Sequence, residues 1–461
     1  MRRLPFAALV LLATAAPLPA QNPYSGHHGP RAAAAGSSDP RLRAIVRSAD
    51  PRRLEADDRQ LVAFGTRHTL SDTLSPIRGI GAARRWIHAR FDSLSADCGG
   101  CLDVQYVGDM VGPTARIPTA TNVVSVVAIQ RGSSDTSRVI VMTGHFDSRN
   151  SQANNATDSA PGANDDGSGT VAVLEAARIL SKYKFAATII YATLAGEEQG
   201  LNGGQIVARW VQHNGWRVEG NLNNDIDGNT NGGDGVRNDD RTIRVFSDGV
   251  PPTETDSQRL RRRSTGGEVD GISRQLARYV QQIGRQHLDG ADVWLVYRLD
   301  RFGRGGDHRA FADLGFPAVR ITEAHENYTR QHQTPRTEHD TLYGDEPEGV
   351  NFRYLAKVAA LNAASLASLA WAPAPPRTVR VTGAGQYAAQ LTWQAPDDSA
   401  DVAKYRVYWR RTDSPTWDNF EDVGLSTRYA ATGRVIDNFF FGVASVSREG
   451  HESVIVFQGG N

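Results

Sequence analysis

Apolar and polar positions alternate along this chain in clearly different rhythms. Residues 138–148, RVIVMTGHFDS, form an unbroken apolar and largely β-branched run that ends in Gly-His-x-Asp. Residues 186–198, AATIIYATLAGEE, repeat that design and end in a pair of glutamates. Continuous runs of this kind predict strands buried on both faces, each delivering polar residues at its carboxyl end. Between them TVAVLEAARILSKY, residues 170–183, has apolar positions at helical spacing and predicts a helix that starts just after GANDDGSG. Further on, LAKVAALNAASLASLAW predicts a terminal helix stopped by the prolines of WAPAPPR. Beyond residue 375 the rhythm changes to short alternating segments, AAQLTWQAP, KYRVYWRR and FFFGVASVS, which predict a small β-sandwich with Trp393 and Tyr405 in or near its core.

Open α/β sheets bind ligands outside the carboxyl ends of their strands, so the motifs ending the two runs are expected to face one crevice. Metal-type side chains follow one another as His145, Asp165, Glu198, Asp225 and His332. Two neighbouring zinc ions need one carboxylate to bridge them, an imidazole and a carboxylate on each, and a water as nucleophile. Three acids and two histidines meet that need. A ligating His145 wants its other ring nitrogen fixed by a carboxylate, and Asp147 is the first candidate. Glu197, next to a ligand candidate but not required as one, suits a general base.

At these residues the chain resembles a known family. GHFDS, GANDDGSG, AGEEQGL, NNDIDG and QHQ are similar to the motifs of the co-catalytic zinc aminopeptidases, a family that includes secreted bacterial leucine aminopeptidases, glutamate carboxypeptidases and glutaminyl cyclases. The resemblance runs from about residue 41 to 370 and takes in LVAFGTRHTLSD as the segment opening the catalytic domain. It implies that His145 and Asp225 hold one zinc, Glu198 and His332 hold the other, Asp165 bridges, and Glu197 is the base. His339, seven residues further along in TEHD, is the rival for the last position. GGDHRAF resembles a cleft-lining segment, with Asp307 and His308 either touching substrate or bracing the wall. LTWQAP, YRVYWR and FFFGVASVSREGHES resemble a fibronectin type III module.

Other features narrow the field. GANDDGSG lacks the Gly-Lys-Ser/Thr ending of a phosphate loop and sets two acids where phosphate would lie. Asp227, Asn229, Asn231 and Gly232 imitate the first half of a calcium loop, but Asn238 stands where its glutamate belongs. Lys plus Arg equals Asp plus Glu at 51 each, so no basic field draws nucleic acid or anionic lipid. The run RLRRRS reads as a solvated face. The first 20 residues have the charged, apolar and small-residue regions of a secretory leader, and residues 21–40 read as a disordered lead-in. Its apolar run is too short for a membrane span. In an exported chain the two cysteines, Cys98 and Cys101, are expected to pair as a small-loop disulfide.

The expectation is therefore an α/β domain over 41–372, a mixed central sheet sandwiched by helices, followed by a β-sandwich over 375–461. Its function is read as a secreted or periplasmic exopeptidase with two zinc ions, an aminopeptidase acting on peptides. The alternatives are a carboxypeptidase or dipeptidase on the same site, or a binding ectodomain that has lost the chemistry. Because every ligand candidate precedes the proline cluster and domains carry their own cores, a chain stopped near residue 372 is expected to be soluble and still to cleave small substrates.

Overall fold

The computed structural model describes residues 39–459, so the expected leader and nearly all of the lead-in lie outside the described residues. Eight strands form the main sheet: β1 (Asp103–Val111), β2 (Thr121–Gln130), β3 (Asp135–His145), β4 (Ala187–Leu194), β5 (Arg217–Asn224), β6 (Thr242–Phe246), β7 (Asp292–Val296) and β8 (Ala318–Glu323). They run in the order β1-β2-β4-β3-β5-β8-β6-β7. The central four, β4, β3, β5 and β8, are parallel, while β2 joins β4 and β6 joins β8 antiparallel. This is the mixed sheet expected. β4 is buried at every position and β3 over its last eight, which is why both read as unbroken apolar runs.

The helices are α1 (Pro40–Arg47), α2 (Pro51–Ala63), α3 (Gly79–Asp97), α4 (Gly169–Leu180), α5 (Asn202–His213), α6 (Asp256–Thr265), α7 (Ile272–His287), α8 (His308–Ala312) and α9 (Phe352–Trp371). From β3 the chain crosses through α4 to β4 on one side, and from β4 it returns through α5 to β5 on the other. Both crossovers are right-handed by the usual rule, so a reversal of direction sends α4 and α5 to opposite faces of the sheet. α4 packs against α9, and α5 against α8. The carboxyl ends of β4, β3 and β5 thus open at a topological switch point, where the two crossovers part and leave a crevice. Asp39 and Asp50 cap α1 and α2 through the main-chain N–H of Arg41 and Arg52, each with proline as the first helical residue. Among the described residues no helix is long and apolar enough to cross a membrane.

After the short hairpin of β9 (Arg336–Glu338) and β10 (Thr341–Tyr343), and after α9, seven strands form two antiparallel sheets. β11 (Arg377–Thr382), β12 (Ala388–Gln394) and β15 (Arg428–Thr432) make one; β14 (Asn419–Asp422), β13 (Lys404–Arg411), β16 (Phe439–Val446) and β17 (Val456–Phe457) make the other. β12 alternates buried and exposed residues as its pattern predicts. Trp393 and Tyr405 meet edge to face at 5.6 Å inside a core that is separate from that of the main sheet. Cys98 and Cys101 form a disulfide just past α3. The basic run lies on α6, which buries none of its side chains, as a solvated face should.

Separate cores do not make the two parts independent. Asp270, wholly buried at the start of α7, takes Arg410 from β13 on both carboxylate oxygens at 2.7 Å and Arg278 from α7 at 2.6 Å. Arg278 and Tyr297 both donate to the carbonyl of Pro415, and Trp417 Nε1 donates to Gln275. His451 Nε2 lies 3.0 Å from Asp39, the cap of α1. Stopping the chain near residue 372 would strip Asp270 of Arg410 and uncover this face. Side chains of Asp270 and Arg410 are 0% and 1% exposed, and breaking a buried pair leaves an uncompensated charge. Arg410→Ala is therefore expected to lower unfolding stability in urea by about 3 kcal/mol. A loss below about 1 kcal/mol would mean that the junction behaves as a solvated surface.

Candidate metal centre

Register brings the first ligand candidates together. His145 pairs with Leu194, so the turn after β4 carries Glu197 and Glu198 back over the end of β3. On the other side Thr143 pairs with Asn223, and the same register carried two residues further sets His145 level with Asp225. Between β3 and α4 the segment Ala163–Ser168 folds over the strand ends and delivers Asp165. Gly162 begins it in the left-handed region at φ 55°, where a Cβ would meet that of Ser148 at 2.5 Å. Gly169 ends it with no room either, since a Cβ there would lie 2.5 Å from Asp166 Oδ2 and 2.6 Å from the carbonyl of Asn224.

Two buried carboxylates hold this segment by its main chain. Asp345 accepts the N–H groups of Asn164 at 3.0 Å and Asp165 at 2.6 Å. Asp166 accepts those of His145 at 2.9 Å, Gly169 at 2.8 Å and Ile226 at 3.2 Å, stitching β3, α4 and the end of β5 together. Burial pushes Asp345 up to about 7 and Asp166 well above the usual carboxylate range. Arg67, also buried, donates to the carbonyls of Phe146, Pro161 and Gly162 and fixes the loop between them.

The five candidates converge as two groups that share one member. His145, Asp165 and Asp225 form the first, and Asp165, Glu198 and His332 the second; in each, the ligating atoms lie within 4.8 Å of one another. Asp165 turns one oxygen to each group: Oδ1 lies 3.4 Å from His145 Nε2 and Oδ2 lies 2.9 Å from His332 Nε2. His145 Nε2 is 4.0 Å from Asp225 Oδ1, and His332 Nε2 is 3.0 Å from Glu198 Oε1. Among the described residues, His145 Nε2, Asp165 Oδ2 and Glu198 Oε1 are buried without a hydrogen-bond partner. Orphaned ligand atoms in both groups, on a set of carboxylates and imidazoles, fit zinc. Burial works against a protonated His332, but Glu198 and Asp165 outweigh it and push its pKa up to about 10, so the pocket favours positive charge.

Glu197 belongs to neither group, although its Oε2 lies 4.0 Å from His145 Nε2. Burial, aided by the charges of Asp225, Glu198 and Asp307 and opposed by His145, raises its pKa well above the usual range. Asp147 differs in detail from expectation. His145 Nδ1 lies 3.1 Å from the main-chain carbonyl of Asp147 and 3.5 Å from its Oδ1. The Asp147 carboxylate instead accepts the N–H groups of Glu197 and Glu198, each at 3.2 Å, and the hydroxyl of Thr69 at 3.1 Å. It positions the two glutamates as much as the histidine.

The open alternatives resolve by position. His339 is exposed in the turn between β9 and β10, and His332, at φ 53°, is the histidine that enters the site. Asp307 and His308 are buried behind the wall, with His308 Nε2 2.9 Å from the carbonyl of Leu299; they brace the crevice and do not line it. Among the described residues the metal-type groups are the two above, and none falls in the calcium-like loop, where Asn229 donates to the carbonyl of His325. A cavity of about 690 Å³ lies over the site, lined by Asp165, Glu197, Glu198, Asp225 and His332 and by five arginines.

Asp166, which the sequence leaves outside the ligand set as either a supporting group or a merely solvated one, takes the supporting place; sequence reasoning missed Asp345, Arg149 and Arg320. Arg149 Nε lies 3.1 Å from Glu198 Oε2, and one of its terminal nitrogens 2.7 Å from His332 Nδ1. Arg320 is wholly buried in β8 and meets Asp225 at 3.0 Å and Asp300 at 3.4 Å. A lone arginine inside the apolar run of β8 was the available sign.

Residues 125–346 match peptidase family M28. A probable zinc metalloprotease of Leptosphaeria maculans is 43% identical over 423 residues, covering 90% of this chain and 96% of that protein. Another, of Pyrenophora tritici-repentis, is 42% identical over 422 residues, covering 91% of this chain and 87% of that protein. In fold the chain is similar to the crystal structure of the LapA aminopeptidase of Legionella pneumophila, with a TM-score of 0.51 at 20% identity, covering 72% of this chain and 74% of that one.

The two histidines separate by metal content. His332→Ala is expected to lower bound zinc by about one ion per chain, measured by atomic absorption after dialysis, while His339→Ala retains the wild-type content. The reverse pattern would move the ligand to His339.

Proposed function

This chain belongs to peptidase family M28 and is a zinc metallopeptidase, and from that footing we propose that it is an exported two-zinc exopeptidase that removes amino-terminal residues from peptides. The observation that carries the reading is Asp165, shared by two ligand groups with one oxygen toward each, while Glu197 stands beside them and in neither. One carboxylate common to two groups is what a pair of ions requires.

His145, Asp225, Glu198 and His332 would hold the ions singly and Asp165 would hold both. Bound zinc supplies Lewis acidity, which acidifies water and polarises the scissile carbonyl. Glu197 takes the proton of the attacking water and returns it to the leaving nitrogen. Asp147 keeps that carboxylate in place through the Glu197 N–H. Asp225 and Glu197 set a negative field for the free amine of a substrate. Export is supported by the leader-like first 20 residues and by the Cys98–Cys101 disulfide.

Glu197→Gln keeps the shape and cannot accept the proton. Turnover is expected to fall roughly a hundredfold or more with zinc content unchanged; loss of zinc would show Glu197 to be a ligand. Hydrolysis of leucyl p-nitroanilide should be abolished by a zinc chelator and by acetylation of the substrate amine. Equal rates on an acetylated peptide, or cleavage only of peptides with a free terminal carboxylate, would replace the aminopeptidase reading with a carboxypeptidase one.

A further inference from the structure

Five arginines line the cavity over the site: Arg116, Arg149, Arg301, Arg304 and Arg309. Their partners divide them. Arg301 is held by Asp300, by Glu326 and by the carbonyl of Gly305. Arg304 meets Glu326 at 3.1 Å, and Arg149 pairs with Glu198. Arg116 donates to the main-chain carbonyl of Glu198. Arg309 differs from all four. Among the described residues no hydrogen bond, ion pair or ring contact engages its side chain, and its Nε is buried without a partner.

The wall around Arg309 is shaped for a guanidinium. Gly305 lies against it, so closely that a Cβ there would come within 2.8 Å of Arg309 Nη1. The next residue, Gly306, would place a Cβ 3.3 Å from Asp225 Oδ2. Two glycines in succession therefore let one strip of backbone pass between the guanidinium and a ligand candidate, which brings Arg309 into the wall that holds Asp225. The four carboxylates lining the cavity belong to the metal-type groups or are Glu197. None is left over to balance Arg309. Half-buried in the cavity wall, with its guanidinium engaged by no protein group among the described residues, Arg309 presents a planar fork that an anion of matching shape fits.

We propose that Arg309 seats a carboxylate of the substrate, so that this peptidase selects for negative charge near the scissile bond. The inference rests on the peptidase reading above and extends it to a substrate class. A peptide offers the carboxylate from two sources, an aspartate or glutamate side chain or its own carboxyl terminus, and Arg309 makes the same bidentate bond with either.

The test uses the zinc-loaded full chain and two pairs of near-isosteric substrates. The first is glutamyl against glutaminyl p-nitroanilide, which differ in the side-chain charge; the second is leucylglycine against leucylglycinamide, which differ in the terminal charge. In one pair the charged member is expected to have a KM roughly tenfold lower or more than the neutral one. Arg309→Gln should erase that gap by raising the KM of the charged member with kcat nearly unchanged, and Arg309→Lys should restore part of it. Discrimination in the first pair identifies the side chain as the source, and in the second the terminus. Equal KM values in both pairs, or a gap that survives Arg309→Gln, overturn the proposal. If none of these substrates is cut, the exopeptidase reading fails on its own. The seat is then read by calorimetry, as glutamate against glutamine and leucine against leucinamide on the wild-type and Arg309→Gln proteins. Equal affinities in both comparisons overturn it there.

Discussion

Concentrated negative charge at the carboxyl ends of parallel strands is the constraint on which the rest of this structure turns. Asp165, Glu197, Glu198 and Asp225 all open on one cavity, and the ligating atoms of each group lie within 4.8 Å of one another. Carboxylates that close repel each other, and burial deepens the cost. The protein answers with cations at fixed places: His145 and His332 between the oxygens, Arg320 on Asp225 and Arg149 on Glu198. What remains unsatisfied are atoms aimed inward, at the point where a dication would complete the balance.

Holding such a set still is the work of residues that never face the cavity. Asp166 and Asp345 spend their carboxylates on main-chain N–H groups, and Asp147 does the same for Glu197 and Glu198. Three motifs far apart in the chain are thereby locked by acids that accept from main-chain N–H groups of other segments. The same device recurs at the junction with the C-terminal sheets, where Asp270 joins α7 to β13 through Arg278 and Arg410. Polar clamps of this kind give a unique geometry where apolar packing alone would tolerate sliding.

Fold class, and the five side chains that meet at the strand ends, were largely readable along the chain. Unbroken apolar runs ending in His-x-Asp and Glu-Glu state that a strand is buried on both faces and that chemistry begins at its end, because a buried parallel strand has no polar face to interrupt it. Helical spacing marked α4 and α9, and the alternation in β12 put Trp393 inside. His145, Asp165, Glu198, Asp225 and His332, picked out by residue type and order, are the five that meet.

Tertiary structure decided what local pattern cannot encode. QHQ favours His332 only by resemblance and leaves His339 in TEHD as its rival; the backbone turn at His332 and the hairpin exposing His339 place one in the site and the other outside it. An acid spent on main-chain N–H groups, such as Asp166 or Asp345, looks the same in sequence as one bound for a metal. Its partners come from elements up to 181 positions away, and proximity of that kind is set only when the sheet closes. Arg309 is one of many arginines in the chain until the cavity shows that, among the described residues, it alone of the five in that wall has no partner. Sequence determines which chemistry is carried, through residue type and periodicity; packing determines which copies of it meet, through distances that no local rhythm contains.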